Sequence, residues 1–117
     1  MRMVNGGEVR TTTGLNLRVA AGTNHSSVAV LGKDVILHVL DVPHDGWVEV
    51  ALMGWVSDAD PATVYCEPDA RSSLKTASRS LLKSAFVTEI RREGAWRELR
   101  IVGFVSTGFL VVVDGPA

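Results

Sequence analysis

The chain contains nearly the same eleven-residue phrase twice, as WVEVALMGWVS at residues 47–57 and as WRELRIVGFVS at residues 96–106. In each copy a Trp comes first, a Gly follows seven residues later, and an aromatic residue, Val and Ser close the phrase. The two copies lie 49 positions apart in a chain of 117 residues. A phrase that returns within one chain indicates a repeated supersecondary unit. We therefore predict that Trp and Gly anchor the same small piece of structure twice.

Strand patterns dominate on both sides of these phrases. In the first phrase, side chains alternate between the faces of a strand, with Val48, Val50 and Leu52 pointing one way. Short β-branched or aromatic runs bounded by turn residues, Gly54 among them, predict strands at 16–20, 28–31, 35–40, 47–52 and 54–58, and then at 85–90, 95–102, 103–106 and 109–113. Such a pattern is typical of small antiparallel barrels. We predict an all-β chain of two tandem barrels, 1–61 and 62–117, packed together because modules this small bury too little surface alone.

One segment departs from the strand pattern. The stretch ARSSLKTASRSLLKSAF at 70–86 spaces four basic residues four apart: Arg71, Lys75, Arg79 and Lys83. That spacing is typical of a helix with a basic stripe. Like charges at this spacing and five Ser residues oppose a helix. Both a helix and an irregular loop carrying strand edges remain open, and the basic side chains are expected to form a solvated basic surface.

Residues 13–58 carry an ordered set of motifs. These are LNLR (15–18), VAVL (28–31), LHVL (37–40), DGWVEV (45–50) and GWVSD (54–58). The set resembles the bacterial SH3 family, often called SH3b, and a degenerate second copy is suspected in 64–113. There, VYCE at 64–67 lacks the Asn and Arg of the first copy. In the first copy, VAA at 19–21 replaces the family's Ser-Gly-Pro turn, and Asp34 replaces a Gly.

The resemblance implies two SH3-like barrels that bind and do not catalyse. The ligand class it implies is a peptide, either a bacterial cell-wall peptidoglycan peptide or part of a partner protein. The expected binding residues lie in the loop 19–27 and on nearby aromatics: Asn24, His25, Trp47 and Trp55.

Several motif residues have structural roles that follow from their chemistry. Asn16 is expected to tie a turn through its amide, and Arg18 to pair with an acid or a backbone carbonyl. Gly54 and Gly103 are expected to adopt positive φ or to permit close backbone approach. The indoles of Trp47, Trp55 and Trp96 and the ring of Phe104 belong either to the core or to a half-exposed binding groove.

No residue pattern predicts an active site, a metal or a cofactor. His25 and His44 lie in predicted turns and His38 in a strand that leaves it either packed or exposed at an edge. No Cys pair or His pair has zinc-ligand spacing, and no acidic stretch has calcium-loop spacing. No signature of a catalytic nucleophile or phosphate loop occurs. The single Cys66 is expected to be a small buried hydrophobe.

Charge and hydropathy limit the partners. The net charge is −1, with −5 in residues 1–70 and +4 in residues 71–117. Generic nucleic-acid binding is therefore not expected, and a weaker hypothesis would place it on basic residues from Arg71 to Arg100. A membrane span is not expected, because no run of 18 apolar residues occurs.

The place of action and a second kind of function remain open. No secretory signal is recognised at the start, so cytoplasmic, virion-associated and trimmed extracellular locations all remain possible. The alternative function is structural or assembly, as in a small phage virion or secretion-apparatus component. A homo-oligomer or larger assembly would accompany that function.

Overall fold

The chain folds as a curled antiparallel sheet in a computed structural model that describes residues 6–69, 71, 74–77 and 87–113. Ten strands occur in these residues: β1 (Glu8–Thr11), β2 (Leu15–Arg18), β3 (Ser27–Leu31), β4 (Ile36–Val39), β5 (Trp47–Ser57), β6 (Asp60–Tyr65), β7 (Leu74–Ala77), β8 (Val87–Glu93), β9 (Trp96–Ser106) and β10 (Leu110–Val112). A 3₁₀ turn, Thr107–Phe109, separates the last two. No α-helix occurs among the described residues, so the prediction of an all-β chain is confirmed.

The two copies of the repeated phrase are β5 and β9, and they pair with each other. They run antiparallel along all eleven residues, with Trp47 opposite Ser106 and Trp96 opposite Ser57. Leu52 and Ile101 face each other at the middle. Because the Trp of each copy lies opposite the last Ser of the other, this ladder has a local twofold arrangement. The two copies of the repeat are therefore neighbouring strands that pair with each other.

The outer edges of this ladder connect both halves of the chain into one sheet. β5 pairs with β4 and β6, while β9 pairs with β8 and, near its end, with β2. β7, from the second half, pairs with β3 of the first, and β10 pairs with β1. Strands from residues 1–61 and 62–117 thus interleave. The pairings do not by themselves divide the sheet into the two predicted barrels.

Buried hydrophobic residues from most of the strands form one core cluster. Val48, Val50 and Leu52, which were predicted to share a face, are at most 1% exposed, and Leu99, Ile101 and Val105 of β9 are equally buried. Each such side chain contributes roughly 1.5–3 kcal/mol through burial. Leu15 and Leu17 of β2 join the same core, which leaves the alternate residues of β2 facing outward.

The predicted breaks at Gly54 and Gly103 are wrong, because each glycine lies inside an unbroken eleven-residue strand. The described glycines with positive φ are Gly6, Gly22, Gly46 and Gly94. Gly103 instead permits close approach: a Cβ there would lie 2.7 Å from Leu17 Cγ and 2.8 Å from the Arg18 carbonyl oxygen. The glycine is needed where β2 crosses against β9.

The segment 70–86 is only partly described. Leu74–Ala77 form β7, so a helix is wrong for these four residues, and the alternative of a loop carrying a strand edge fits them. Lys75 lies in β7, whereas Arg79 and Lys83 fall outside the described residues. Arg71 is exposed and pairs with Asp69.

The prediction of a buried Cys66 is also wrong. Cys66 is exposed, and it lies in a bend just after β6 ends at Tyr65.

Candidate functional site

A surface pocket of about 210 Å³ lies at one end of the β5–β9 ladder. Four segments meet there: the start of β2, the loop that follows it, the start of β5, and the 3₁₀ turn with the residue before it. The lining residues are Gly14, Leu15, Asn16, Arg18, Thr23, Trp47, Ser106 and Phe109. Half of these residues are polar or charged, so the pocket offers hydrogen-bonding groups beside aromatic and aliphatic surface.

The backbone around the two aromatic residues is fixed by hydrogen bonds. Trp47, the first residue of β5, is half-buried opposite Ser106, the last residue of β9. Beyond Ser106, the Thr107 N–H donates to the Gly46 carbonyl at 2.9 Å. Thr12 donates both its N–H and its hydroxyl to the Phe109 carbonyl, at 2.9 and 3.1 Å. Phe109 is therefore held beside the pocket although its side chain is 46% exposed.

Two polar residues of β2 tie the neighbouring loop across its base. Asn16 and Arg18 alternate with the core residues of β2 and face outward. Arg18 Nη1 donates to the His25 carbonyl at 2.9 Å, and the Ser27 hydroxyl lies 3.0 Å from Asn16 Oδ1. Of the two partners expected for Arg18, the structure has the backbone carbonyl. A guanidinium carries five N–H donors, so this bond leaves further donors for a ligand.

The four residues predicted to bind a ligand do not come together. Trp47 lines the pocket, whereas Asn24 and His25 are exposed in the adjacent loop and are not among its lining residues. The loop contributes Thr23 instead. Trp55 is only 5% exposed, and the Arg91 guanidinium covers its indole, with Arg91 Cζ 5.0 Å from the ring centroid. Trp55 is therefore a packed residue.

Sequence reasoning missed Gly14, Leu15, Ser106 and Phe109. The position of Ser106 follows only once the two phrases are known to pair antiparallel, because that register places it opposite Trp47. Phe109 carries no comparable signal, since an aromatic just after a strand is as easily packed as exposed.

Trp96 is the counterpart of Trp47 at the other end of the ladder, and its surroundings differ. The Tyr65 ring meets the Trp96 indole edge-on, with centroids 5.7 Å apart and an interplanar angle of 79°. Edge-to-face contacts of this kind are favourable packing contacts. Trp96 thus serves as an internal comparison for Trp47, which borders the pocket.

A charged cluster lies near Trp96 and fastens β8 and β9 to the turn after β5. Arg92 Nη1 donates to Asp58 Oδ2 at 2.8 Å, and Arg97 Nε lies 3.6 Å from Asp58 Oδ1 and 3.7 Å from Glu89 Oε1. The hydrogen bond from Arg92 is the main reason that the pKa of Asp58 is below its ordinary value of 3.8. These charges are paired with each other, so the cluster acts as a structural link.

The described residues contain no group of three or more His, Cys, Asp or Glu side chains that could hold a metal ion. His38 is exposed and lies 3.9 Å from a Glu8 carboxylate oxygen, which is a loose edge contact. Within the same part of the chain, no helix has the length and apolar character needed to cross a membrane.

No protein-family model, curated protein or solved structure matches this chain. The resemblance to the bacterial SH3 family therefore stays a prediction. The pocket itself, with its two aromatic residues and its single arginine, is the feature from which a function can be argued.

Proposed function

We propose that the protein is a non-enzymatic binding module that holds a peptide-type ligand in the pocket beside Trp47. The ligand we favour is a bacterial cell-wall peptidoglycan peptide, with a segment of a partner protein as the other peptide source. The observation that carries this proposal is the position of Trp47 and Phe109 beside Asn16 and Arg18, on backbone fixed by the sheet and by the hydrogen bonds of the 3₁₀ turn.

The pocket suits part of a peptide in size and in chemistry. Its volume of about 210 Å³ lies below the roughly 300–1,000 Å³ of drug-sized ligand sites, so the pocket suits a single residue better than a longer segment. The aromatic rings offer contact to an apolar side chain. The hydroxyls of Thr23 and Ser106 and the amide of Asn16 can form hydrogen bonds with a peptide backbone.

The proposal also includes the predicted pair of SH3-like barrels. In our proposal each half is one SH3-like unit, and the two units have merged through pairing of their equivalent strands. The first unit provides β2 and Trp47, and the second provides Ser106 and Phe109. A ligand at this pocket would therefore contact both halves.

The test is retention on purified peptidoglycan, with a matched pair of variants. Phe109→Ala removes a pocket side chain that is 46% exposed, and Ile90→Ala removes a side chain of β8 that is 44% exposed and outside the pocket. Both truncations should leave the fold stable, because neither residue is buried. We expect the wild type and Ile90→Ala to be retained and Phe109→Ala to be lost.

Absence of wild-type retention at low salt would remove peptidoglycan as the ligand. Equal retention of Phe109→Ala and the wild type would show that binding does not use this pocket.

A structural or assembly role is the second candidate, and the edge of the sheet favours it. Among the described strands, β10 pairs only with β1, and it exposes Val111 to 39%. An apolar open edge can pair with the same edge of a second copy. Light scattering after size exclusion should then show an oligomer that Val111→Lys dissociates, and a monomeric wild type would eliminate this candidate.

A further inference from the structure

We propose that the pocket recognises the free carboxyl terminus of a peptide, with Arg18 as the carboxylate-binding residue. This inference rests on the proposed function and specifies which end of the peptide enters the pocket. It follows from the charge, the pairing and the position of Arg18.

Arg18 is the one ionisable side chain among the eight that line the pocket. In the part of the chain that the structure describes, no carboxylate lies within ion-pair distance of it. Of the six other described arginines, Arg100 has no carboxylate partner within the described residues, and five have one: Arg10, Arg71, Arg91, Arg92 and Arg97. The pocket therefore contains a positive charge without an internal counter-ion, which favours an anionic ligand and disfavours a cationic one.

The hydrogen bond to His25 gives this charge a defined orientation. The carbonyl of His25 accepts from Nη1 at 2.9 Å and anchors one side of the planar guanidinium. A guanidinium fixed in this way loses less side-chain freedom when it binds a ligand. The remaining parallel donors of the fork match two oxygens of a carboxylate or a phosphate, and the carboxylate is the one that a peptide end supplies.

The rest of the pocket limits the size of what accompanies the carboxylate. A volume of about 210 Å³ accepts one residue, and the rings of Trp47 and Phe109 favour an apolar side chain on it. The side chains of Asn16, Thr23 and Ser106 can form hydrogen bonds with the last peptide group of the ligand. The combination selects a terminal apolar residue over an internal apolar residue, because only the terminal one brings a carboxylate to pair with Arg18.

The experiment is a calorimetric titration with two synthetic peptides, acetyl-Ala-Ala-Leu as the free acid and as the C-terminal amide. Acetylation removes the amino-terminal charge from both, so the carboxylate is the only difference between them. We expect the acid to bind at least tenfold more tightly than the amide, with a preference that weakens as salt concentration rises.

Two substitutions at Arg18 and one control locate the preference. Arg18→Gln should abolish the difference between acid and amide, and Arg18→Lys should retain part of it through its charge. Arg71→Gln removes an arginine whose side chain is 91% exposed and outside the pocket, so it should bind like the wild type. Melting curves of the wild type and the three variants show whether each protein is folded at the temperature of the titration.

The outcomes separate this inference from the proposed function. Equal binding of acid and amide, with both lost in Phe109→Ala, would overturn the role of the carboxyl terminus and leave the peptide pocket intact. Failure of both peptides to bind, while peptidoglycan retention depends on Phe109, would overturn it as well. If peptidoglycan retention and peptide binding are both absent, the proposed function fails too.

Discussion

Gly103 is where the fold depends most sharply on the absence of a side chain. It lies within β9, opposite Val50 of β5, at the point where β2 packs against the ladder. A Cβ built there would approach Leu17 Cγ to 2.7 Å, Leu17 Cδ1 to 2.9 Å and the Arg18 carbonyl oxygen to 2.8 Å. Gly103→Ala therefore requires β2 to move away from β9.

The cost can be worked from these contacts. Leu17 is fully buried, so its side chain has little room to rotate, and the Arg18 oxygen belongs to the backbone. Overpacking of this kind costs about 1–3 kcal/mol, and the upper half applies where backbone must shift. Replacing a strand Gly by Ala returns roughly 0.5–1 kcal/mol of conformational entropy. We expect a net destabilisation of about 2 kcal/mol.

Urea denaturation and thermal melting measure this effect. With an unfolding entropy of about 2.1 cal/mol/K per residue, a loss of about 2 kcal/mol corresponds to roughly 8 °C in Tm for a chain of 117 residues. Gly108→Ala is the control, because its Cβ would meet only the Ser106 hydroxyl oxygen at 3.8 Å. It should change stability by less than about 0.5 kcal/mol. If Gly103→Ala proves as stable as its control, the packing of β2 on β9 described above is incorrect.

Two further predictions concern buried and ionised polar groups. The fully buried Thr11 hydroxyl donates to the Gly32 carbonyl at 2.7 Å and accepts from the Val35 N–H at 2.9 Å. Thr11→Val leaves that carbonyl and that N–H unpaired, so urea denaturation should show a free energy of unfolding lower by about 2 kcal/mol. The Arg92 hydrogen bond holds the pKa of Asp58 below its ordinary 3.8 in the folded protein. The ionised Asp58 therefore stabilises the fold above pH 3.8, and this stabilisation is lost as the pH falls through the lowered pKa. Asp58→Asn should therefore be less stable than the wild type at neutral pH, with a difference that shrinks on acidification below pH 3.8; a difference that grows in acid would contradict this assignment.

Much of the fold could be predicted from the sequence, because strand formation depends on local alternation. Val48, Val50 and Leu52 were predicted to share one face of the strand, and all three are buried in β5. The repeated phrase correctly marked two equivalent pieces of structure, but each is one continuous strand and not the predicted pair of strands joined by a Gly turn. The error at Gly54 and Gly103 arose because a glycine within a strand pattern can mark either a turn or a close contact, and only the neighbouring strand decides which.

The candidate site was less accessible to prediction because its parts are distant in sequence. Trp47 and Arg18 carry local motifs, but Ser106 and Phe109 reach them through the pairing of β9 with β5 and the hydrogen bonds of the 3₁₀ turn. The pairing partner of a strand depends on long-range contacts, which a repeat suggests without specifying. Trp55 was misleading for the converse reason: its exposure depends on Arg91 of a strand 36 positions away.

The central claim, that peptide binds beside Trp47, is tested most directly by following the three indole N–H signals in a ¹H–¹⁵N correlation spectrum. Peptides released from purified peptidoglycan are the titrant, and Trp96, packed by Tyr65 at the opposite end of the ladder, is the internal reference. We predict saturable shifts for the Trp47 indole and for backbone signals of residues 14–18, with the Trp96 indole unchanged. Shifts centred on Trp96, or none at Trp47 while other signals move, would contradict the account.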